Sequence, residues 1–253
     1  MILAILQARV SSSRLPGKVL RPILGKAMLA LQIERILRAK YIDKLIIATS
    51  NEPTDDALAQ LSKEVGVECF RGSLNDVLDR FYQVANQYQP EHVVRLTGDC
   101  PLIDHAVIDK VIQFHLEGQY DYSSNTIKPT YPNGLDVEIC RWPILKQTWE
   151  EAKLPSEREH VTLYIHHHAE LFKLGSVENN TDLSKLRWTV DEPEDFMLVN
   201  DIYEYLYPNN PQFTTRDILE YYSSNEMLQT INNHYQRNEG LAKSLVQDKK
   251  FQK

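Results

Sequence analysis

Near its amino terminus the chain contains the stretch Gln7-Ala8-Arg9-Val10-Ser11-Ser12-Ser13-Arg14-Leu15-Pro16-Gly17-Lys18. It follows an apolar run, residues 1–6, that is too short for a helix and predicts a buried strand. In an α/β protein the loop after the first strand opens at the carboxyl edge of the sheet, where ligands bind. Guanidinium, ammonium and turn amide groups all donate to phosphate oxygens. The stretch therefore indicates a polyphosphate site, and the alternative is a solvated basic loop.

The spacing of this stretch differs from two common nucleotide-binding loops. It matches neither Gly-x-Gly-x-x-Gly nor the P-loop signature, so neither a dinucleotide fold nor an ordinary ATPase is supported. The candidate nucleotide-binding residues in it are Gln7, Ala8, Arg9, Ser13, Arg14 and Lys18.

Composition limits the class of protein. A chain of 253 residues with 42% apolar residues forms one large α/β domain or two small ones. The net charge of −7 argues against general nucleic-acid binding. Cations are nevertheless concentrated in the first forty residues, where Glu34 is the single acid, which favours an anionic ligand.

The cysteines and the apolar segments predict where the protein works. Cys69, Cys100 and Cys140 are far apart and have neither metal spacing nor a secreted disulfide framework, which indicates a reducing compartment. The amino terminus has no signal-peptide pattern, and no apolar run approaches ~18 residues. We therefore expect a cytoplasmic protein without a membrane span.

Strand and helix patterns alternate through the first half of the chain. The predicted strands are 1–6, 44–50, 67–70 and 91–97, and the predicted helices are 28–40, 54–65 with Thr54 as N-cap, 74–88 and 104–116 with Asp104 as N-cap. Four alternations predict a mostly parallel, Rossmann-like three-layer α/β sheet. Right-handed crossovers place every loop that follows a strand on one edge. We assign base selection to residues in the segments 50–55, 71–73 and 95–98, and the candidates in them are Ser50, Arg71, Thr97 and Gly98.

The alternation breaks after residue 118. The later predicted strands are 120–125, 135–140, 171–175 and 185–190, and the later helices are 141–152, 160–169, 191–207, 216–222 and 226–234. The polar, cationic last ten residues are expected to be disordered. We divide the chain into a main domain, 1–212, and a C-terminal helical extension, 213–253.

Two aspartates follow predicted strands and are candidate metal ligands. Asp99 follows Leu96-Thr97-Gly98, and Asp191 follows Arg187-Trp-Thr-Val190. Mg²⁺ in proteins is usually held by one or two carboxylates together with substrate phosphates. The sequence is therefore consistent with a Mg²⁺ site that these two carboxylates form beside the basic loop. The alternative is that each aspartate is a turn residue or helix N-cap.

Other polar segments have both a structural and a functional interpretation. Residues 133–138 form either a plain hairpin or a loop for substrate hydroxyls, and residues 156–160 either orient substrate or cap a helix. His166, His167 and His168 are expected to have a structural or surface role and not to bind one metal ion together, because adjacent helical residues point in different directions. No side chain has the context of a covalent nucleophile, and Cys100 is expected in the core. The candidate substrate residues are Asn125, Asn133, Gly134, Asp136, Glu138, Glu159, His160 and Arg187.

Three blocks together resemble one family, the sugar cytidylyltransferases. The blocks are residues 9–18, Leu96-Thr-Gly-Asp-Cys-Pro-Leu102 and Arg187-Trp-Thr-Val-Asp-Glu-Pro-Glu-Asp-Phe196. The chain is similar to the spore-coat-polysaccharide branch also at 131–138, at 156–162 and at Arg237-Asn-Glu-Gly240. It departs from the octulosonate enzymes at Gly-Asp-Cys-Pro, where they have Gly-Asp-Glu-Pro, so the octulosonate is not implied as substrate.

The resemblance implies a nucleotide-diphosphosugar-transferase fold and a function in surface-polysaccharide or glycan precursor synthesis. It implies Mg²⁺-dependent transfer of CMP from CTP to a sugar, often an acidic one, with release of pyrophosphate, and a possible homodimer. Arg9, Arg14 and Lys18 would bind the triphosphate, Asp99 and Asp191 would hold the metal, and the catalytic residues would be Arg14, Lys18, Asp99 and Asp191.

Three rival functions remain open from the sequence. The first is a nucleotidyltransferase that uses another nucleotide, such as GTP with a sugar 1-phosphate. The second is a glycosyltransferase, although no Asp-x-Asp follows the fourth strand. The third is a nonenzymatic nucleotide-binding protein.

Overall fold

A seven-stranded sheet with strand order 5-4-1-6-8-7-9 forms the centre of the chain in a computed structural model that describes residues 1–12, 14–237 and 239–251. The strands are β1 (Ile2–Gln7), β2 (Pro22–Ile23), β3 (Lys26–Ala27), β4 (Lys44–Ser50), β5 (Glu68–Gly72), β6 (His92–Thr97), β7 (Tyr122–Ser124), β8 (Glu138–Arg141) and β9 (Leu174–Ser176), of which β2 and β3 form a separate hairpin. The helices are α1 (Met28–Ile36), α2 (Asp56–Glu64), α3 (Val77–Tyr88), α4 (His105–Gly118), α5 (Trp142–Glu151), α6 (Pro155–Glu159), α7 (Leu163–His167), α8 (Pro193–Leu206), α9 (Thr215–Ser223), α10 (Glu226–Thr230) and α11 (Glu239–Phe251).

The predicted parallel sheet is confirmed. Strands β5, β4, β1 and β6 are all parallel, and the antiparallel strand β8 joins β6 to the short strands β7 and β9. Strand β1 is apolar on both faces because helices cover both sides of the sheet. Ala4 and Leu6 pack in a core with α1, α4 and α8, whereas Leu3 and Ile5 pack in a second core with α3 and α5. The result is a three-layer, Rossmann-like α/β fold.

Several predicted elements differ from the observed ones. Residues 185–190 are not a strand: the amides of Trp188 and Thr189 both donate to Asn133 O (2.6 and 2.9 Å), while that of Val190 donates to Asp99 O (2.7 Å). The backbone of this segment therefore forms hydrogen bonds to two separate loops and not to a single neighbouring strand. Thr54 is not the N-cap of α2, because a 3₁₀ turn, Pro53–Asp55, precedes that helix. The predicted helix 160–169 begins only at Leu163.

The C-terminal part of the chain packs on the rest. Phe213 is buried beneath the Arg35 guanidinium, which lies 4.3 Å from the ring centroid and donates to Phe213 O at 2.9 Å. Asp104 is the N-cap of α4, as predicted, and its second carboxylate oxygen accepts from the Thr215 amide at 2.7 Å. Residues 239–251 form α11, residues 252 and 253 lie outside the described part of the chain, and the expected disorder of the last ten residues stays a prediction. The exact domain boundary at 212 stays a prediction.

Among the described helices, none is both long and apolar enough to cross a bilayer.

The buried His115, in contact with the half-buried His92, makes the stability of the fold dependent on pH. His115 Nε2 lies 3.0 Å from His92 Nδ1, and its other ring nitrogen lies 3.0 Å from Ser123 Oγ. Burial, reinforced by His92, lowers the pKa of His115 to about 3. The unfolded histidine, with an ordinary pKa near 6.5, binds a proton between about pH 6.5 and 3 whereas the folded one does not. Stability is therefore lost as the pH falls below about 6.5.

We expect His115 to contribute a pH slope of about 1 kcal/mol per pH unit to the free energy of unfolding between about pH 6 and 4. Chemical denaturation at several pH values measures that slope for the native chain and for His115→Gln. The slope of the variant should be shallower by about this amount, since the carboxylates contribute equally to both. Identical slopes would show that His115 is protonated in the folded state.

Candidate active site

A cavity of about 480 Å³ opens where the loops after β1 and β6 meet the segment before α8. The chain brings predicted residues from distant positions to this cavity because the carboxyl ends of parallel strands share one edge of the sheet. Of the predicted site residues, those that line it are Arg14, Thr97, Asp99, Asn133, Asp136, Glu138, His160, Arg187 and Asp191.

The buried Lys18 joins both predicted metal aspartates. Its ammonium nitrogen lies 2.8 Å from Asp191 Oδ1 and 3.4 Å from Asp99 Oδ2, and it also donates to Val190 O at 2.6 Å. Burial alone would lower the pKa of Lys18, but the two carboxylates outweigh that effect and raise it. The two aspartates, 92 positions apart in the sequence, thus converge on one cation.

Arg14 completes the charged centre of the cavity. Its Nη2 lies 2.8 Å from Asp191 Oδ1, and its Nη1 lies 3.4 Å from Glu192 Oε1. Glu192 was missed by the sequence analysis, which treated it as a residue of the first helical turn. The centre therefore holds two cations and three carboxylates within direct contact of one another.

The carboxylate oxygens of Asp99 and Asp191 fit a hard cation. They already share the ammonium of Lys18, which shows that one positive charge can be placed between them. Within the described part of the chain, no group of three or more His, Cys, Asp and Glu side chains converges as a complete metal cage. Two carboxylates suffice for Mg²⁺ when substrate phosphates and water supply the remaining oxygens.

Asp195 holds the segment that carries Asp191. This carboxylate is fully buried and accepts from Arg187 Nε and Nη2, both at 2.8 Å, from the amides of Asp191 and Glu192, both at 2.9 Å, and from Asn232 Nδ2 at 2.8 Å. Burial raises the pKa of Asp195, but hydrogen bonds from Arg187 and these amides lower it below its ordinary value. Its position three residues after Glu192, at the start of α8, is the capping-box spacing that could have identified it.

Asp55 anchors the basic loop to the neighbouring strand. Its carboxylate accepts from the Val10 amide at 2.7 Å and from both the amide and the hydroxyl of Ser50. The hydroxyl of Ser50, a residue predicted to select the base, therefore donates its hydrogen bond to Asp55. Arg71 is likewise engaged with Ser50 O at 3.0 Å and Asp56 Oδ1 at 2.6 Å.

The remaining nucleotide-binding candidates lie beside the cavity instead of lining it. Gln7 and Gly98 pair through their backbones, with Gly98 N 2.7 Å from Gln7 O, and Ala8 N donates to Ala48 O at 3.2 Å. Arg9 is exposed next to these strand ends. Ser13 lies outside the described residues, so its assignment is not placed. The base-binding roles of this group stay predictions.

Glu138 organises the half of the cavity farther along the sheet. Its carboxylate accepts from Arg95, from Thr162 and from Tyr122 Oη, the last at 2.7 Å. Burial raises the pKa of Glu138, but Arg95 outweighs this effect and lowers it. Arg95 was named only as part of a base-selecting loop, and its guanidinium lines the cavity beside Glu138.

A strained turn brings two nearby residues to the same cavity. Val161 has φ +55°, a left-handed conformation that is rare for a β-branched residue. Its neighbours His160 and Thr162 both line the cavity. Such strain is often found at functional sites because the surrounding structure must hold it in place.

One of the three adjacent histidines lines the cavity. His166 lines the cavity and lies 3.1 Å from Tyr122 Oη. His167 turns away to Glu157, 2.9 Å distant, and His168 lies 3.8 Å from Glu170. The prediction that the three side chains point in different directions is confirmed, and their structural or surface role stays a prediction.

Three predicted substrate residues serve the backbone or a neighbouring helix. The side chain of Asn125 donates from Nδ2 to Leu135 O at 2.7 Å and accepts at Oδ1 from the backbone amide of Val137 at 2.9 Å. Gly134 has φ +112°, and a Cβ there would lie 2.5 Å from Thr189 N, so the close approach of the two loops requires glycine. Glu159 accepts from Ser244 at 2.6 Å. None of these three lines the cavity, and each helps to shape its wall.

The C-terminal segment contributes cavity residues that the sequence analysis did not assign. They are Gln236, Arg237, Gly240 and Leu241. Arg237 Nη2 lies 2.5 Å from Asp136 Oδ1. Burial, opposed by Arg237, raises the pKa of Asp136 to about 6. The resemblance at 237–240 was the one sequence signal that pointed here.

Comparisons with known proteins identify the family of the chain. A family model described as cytidylyltransferase matches residues 3–250. The chain is 36% identical over 210 residues to the spore coat polysaccharide biosynthesis protein SpsF of Bacillus subtilis, covering 80% of this chain and 86% of that protein. It is 38% identical over 113 residues, 44% of each chain, to a 3-deoxy-manno-octulosonate cytidylyltransferase of Geobacter sulfurreducens.

A solved structure supports the same assignment over the whole fold. A cytidylyltransferase from Leptospira borgpetersenii superimposes with a TM-score of 0.87 at 32% sequence identity, covering 94% of this chain and 99% of that one. The resemblance read from the three sequence blocks is thereby confirmed. The chain belongs to the cytidylyltransferase family.

Proposed function

We propose that the protein transfers CMP from CTP to a sugar, most readily an acidic one, with release of pyrophosphate. One observation carries the proposal: Arg14, Asp99 and Asp191 line one cavity, Arg14 contacts Asp191, and the buried Lys18 contacts both aspartates. Such a centre combines phosphate-binding cations with the oxygen ligands of a divalent metal. The names of the relatives, a polysaccharide biosynthesis protein and an octulosonate cytidylyltransferase, agree with a sugar acceptor.

The chemistry is an in-line displacement at the α-phosphorus of CTP. The oxygen of a sugar hydroxyl forms a bond to this phosphorus as the bond to the β,γ-pyrophosphate breaks, and the hydroxyl proton passes to solvent. Arg14 and Lys18 neutralise the charge that develops on the leaving pyrophosphate. Asp99 and Asp191 would hold Mg²⁺, which, when bound, supplies Lewis-acid polarisation of the phosphate and hydroxyl oxygens.

The other half of the cavity, which includes Arg95, Glu138, Thr162 and His166 and which we call the acceptor half, would bind and orient the acceptor. Arg95, Thr162 and His166 surround the Glu138 carboxylate there and provide hydrogen-bonding groups along one wall. His160 and Asn133 line the same space. The arginines of this region favour an acceptor with a carboxylate, because guanidinium groups pair well with carboxylates. We retain cytoplasmic location and homodimerisation as expectations.

Pyrophosphate release measured with each of four nucleoside triphosphates tests the proposal. Each nucleotide is combined with 3-deoxy-manno-octulosonate, N-acetylneuraminate or glucose 1-phosphate in the presence of Mg²⁺. We expect turnover with CTP and an acidic sugar, and loss of turnover on addition of EDTA that excess Mg²⁺ restores. Preferred turnover of GTP with glucose 1-phosphate would instead establish the rival nucleotidyltransferase. Binding of CTP without pyrophosphate release from any pair would favour the nonenzymatic alternative.

A further inference from the structure

We infer that the C-terminal wall, residues 232–237 and 239–251, forms part of the acceptor site and that the side chain at position 240 limits the size of the acceptor. This inference rests on the proposed function and specifies one of its determinants. Gln236, Arg237, Gly240 and Leu241 of the wall line the same cavity as Asp99 and Asp191. The segment therefore belongs to the site, although it lies beyond the predicted main domain.

Hydrogen bonds tie the first part of the wall to the segment that carries Asp191. Asn232 Nδ2 donates to Arg187 O at 2.9 Å, and Arg187 Nη1 donates to Gln236 O at 3.2 Å. Arg237 reaches across to Asp136 at 2.5 Å and to Tyr131 O at 3.3 Å. These bonds hold residues 232–237 of the wall against the segment that contains Arg187 and against the loop that contains Tyr131 and Asp136.

Helix α11 rests on α6 through small polar side chains. Asp248 accepts from the Ser156 amide at 3.0 Å and from the Ser156 hydroxyl at 2.6 Å. Ser244 Oγ contacts both Glu159 at 2.6 Å and His160 Nε2 at 2.9 Å. Because His160 also lines the cavity, the position of α11 is coupled to a residue of the acceptor half.

Gly240 is the point where this wall leaves room for a ligand. It faces the cavity, and a Cβ built there would have no heavy atom within 4 Å. Its backbone lies in α11 and does not require glycine on conformational grounds. A large side chain at 240 can therefore project into the acceptor half without displacing the fold.

The experiment compares Gly240→Trp with Val246→Trp, which places the same side chain on the exposed face of the same helix, where Val246 is 54% exposed. The acceptor is the sugar that the native protein uses fastest with CTP. We expect Gly240→Trp to lower kcat/KM for that sugar by about 30-fold while KM for CTP changes little, because excluding a group from a pocket discriminates by 10–200-fold. Val246→Trp should match the native protein in both constants.

The possible outcomes separate this inference from the proposed function. An inactive native protein would overturn the proposed function and, with it, this assignment. An active native protein whose Gly240→Trp variant uses the sugar equally well would overturn the inference alone. A parallel loss of kcat/KM for the sugar in Val246→Trp would also overturn it, since the effect would then come from the helix and not from the cavity.

Asp248→Ala provides a second test that does not depend on a bulky side chain. Loss of its bonds to Ser156 should speed amide hydrogen exchange in residues 239–251 and raise KM for the sugar several-fold, with KM for CTP unchanged. Faster exchange in α11 without any change in KM for the sugar would contradict a role of the wall in acceptor binding.

Discussion

Replacement of Asp191 by asparagine is expected to lower kcat for pyrophosphate release by at least about 10³-fold, the scale on which single charged groups act in phosphoryl transfer. The carboxylate contacts both Lys18 and Arg14 at 2.8 Å and shares the Lys18 ammonium with Asp99. Asparagine keeps the shape but removes the charge that orders these cations and that would hold Mg²⁺. Asp99→Asn should have an effect of the same order. Steady-state kinetics with CTP and the preferred sugar measure both losses.

Folding must be preserved for this result to report on catalysis. Thermal unfolding and CTP affinity in the absence of metal should show that both variants retain the native structure. Asp182→Asn, which changes an exposed carboxylate in the loop before Arg187, is the matched control and should keep native kcat. Full activity in both Asp99→Asn and Asp191→Asn would refute the proposed metal-binding role.

Asp195→Asn is expected to destabilise the protein by about 3 kcal/mol and to lower activity as well, because breaking a buried ion pair leaves an uncompensated charge. Asp195 is fully buried and accepts five hydrogen bonds, two of them from Arg187. The amide of asparagine would present hydrogen atoms to groups that are themselves hydrogen-bond donors. The amides of Asp191 and Glu192 would lose their shared acceptor, so the Asp191 carboxylate would no longer be held in place. Denaturant unfolding and kcat measure the two effects.

Glu204→Gln provides the comparison for this prediction. Glu204 lies on the exposed face of the same helix, so its substitution should change stability by no more than about 0.5 kcal/mol. Native stability of Asp195→Asn would show that Arg187 finds another partner. Reduced stability with native kcat would show instead that the Asp191 loop is held by other contacts.

The first half of the fold could be predicted because its signals are local. Strands β1, β4 and β6 are short apolar runs, and each precedes an amphipathic helix, so period and order specify a parallel sheet. The same reasoning placed Asp99 at a strand end beside the basic loop. The second half could not be predicted as well, because its backbone pairs with loops. Residues 185–190 have the composition of a strand, yet Trp188 and Thr189 bond one carbonyl of Asn133 and Val190 bonds Asp99.

The sequence by itself determined which chemical groups the site contains: the cations of residues 9–18, the aspartates at 99 and 191, and the family that they indicate. Only the tertiary structure decided which groups meet. Long-range contacts placed Lys18 between Asp99 and Asp191, paired the buried Asp195 with Arg187, and brought Gly240 to the cavity. The physical reason is that hydrophobic periodicity and secondary-structure propensity are set by residues close together in the sequence. The partner of a buried charge is set by the packing of segments that are distant in the sequence.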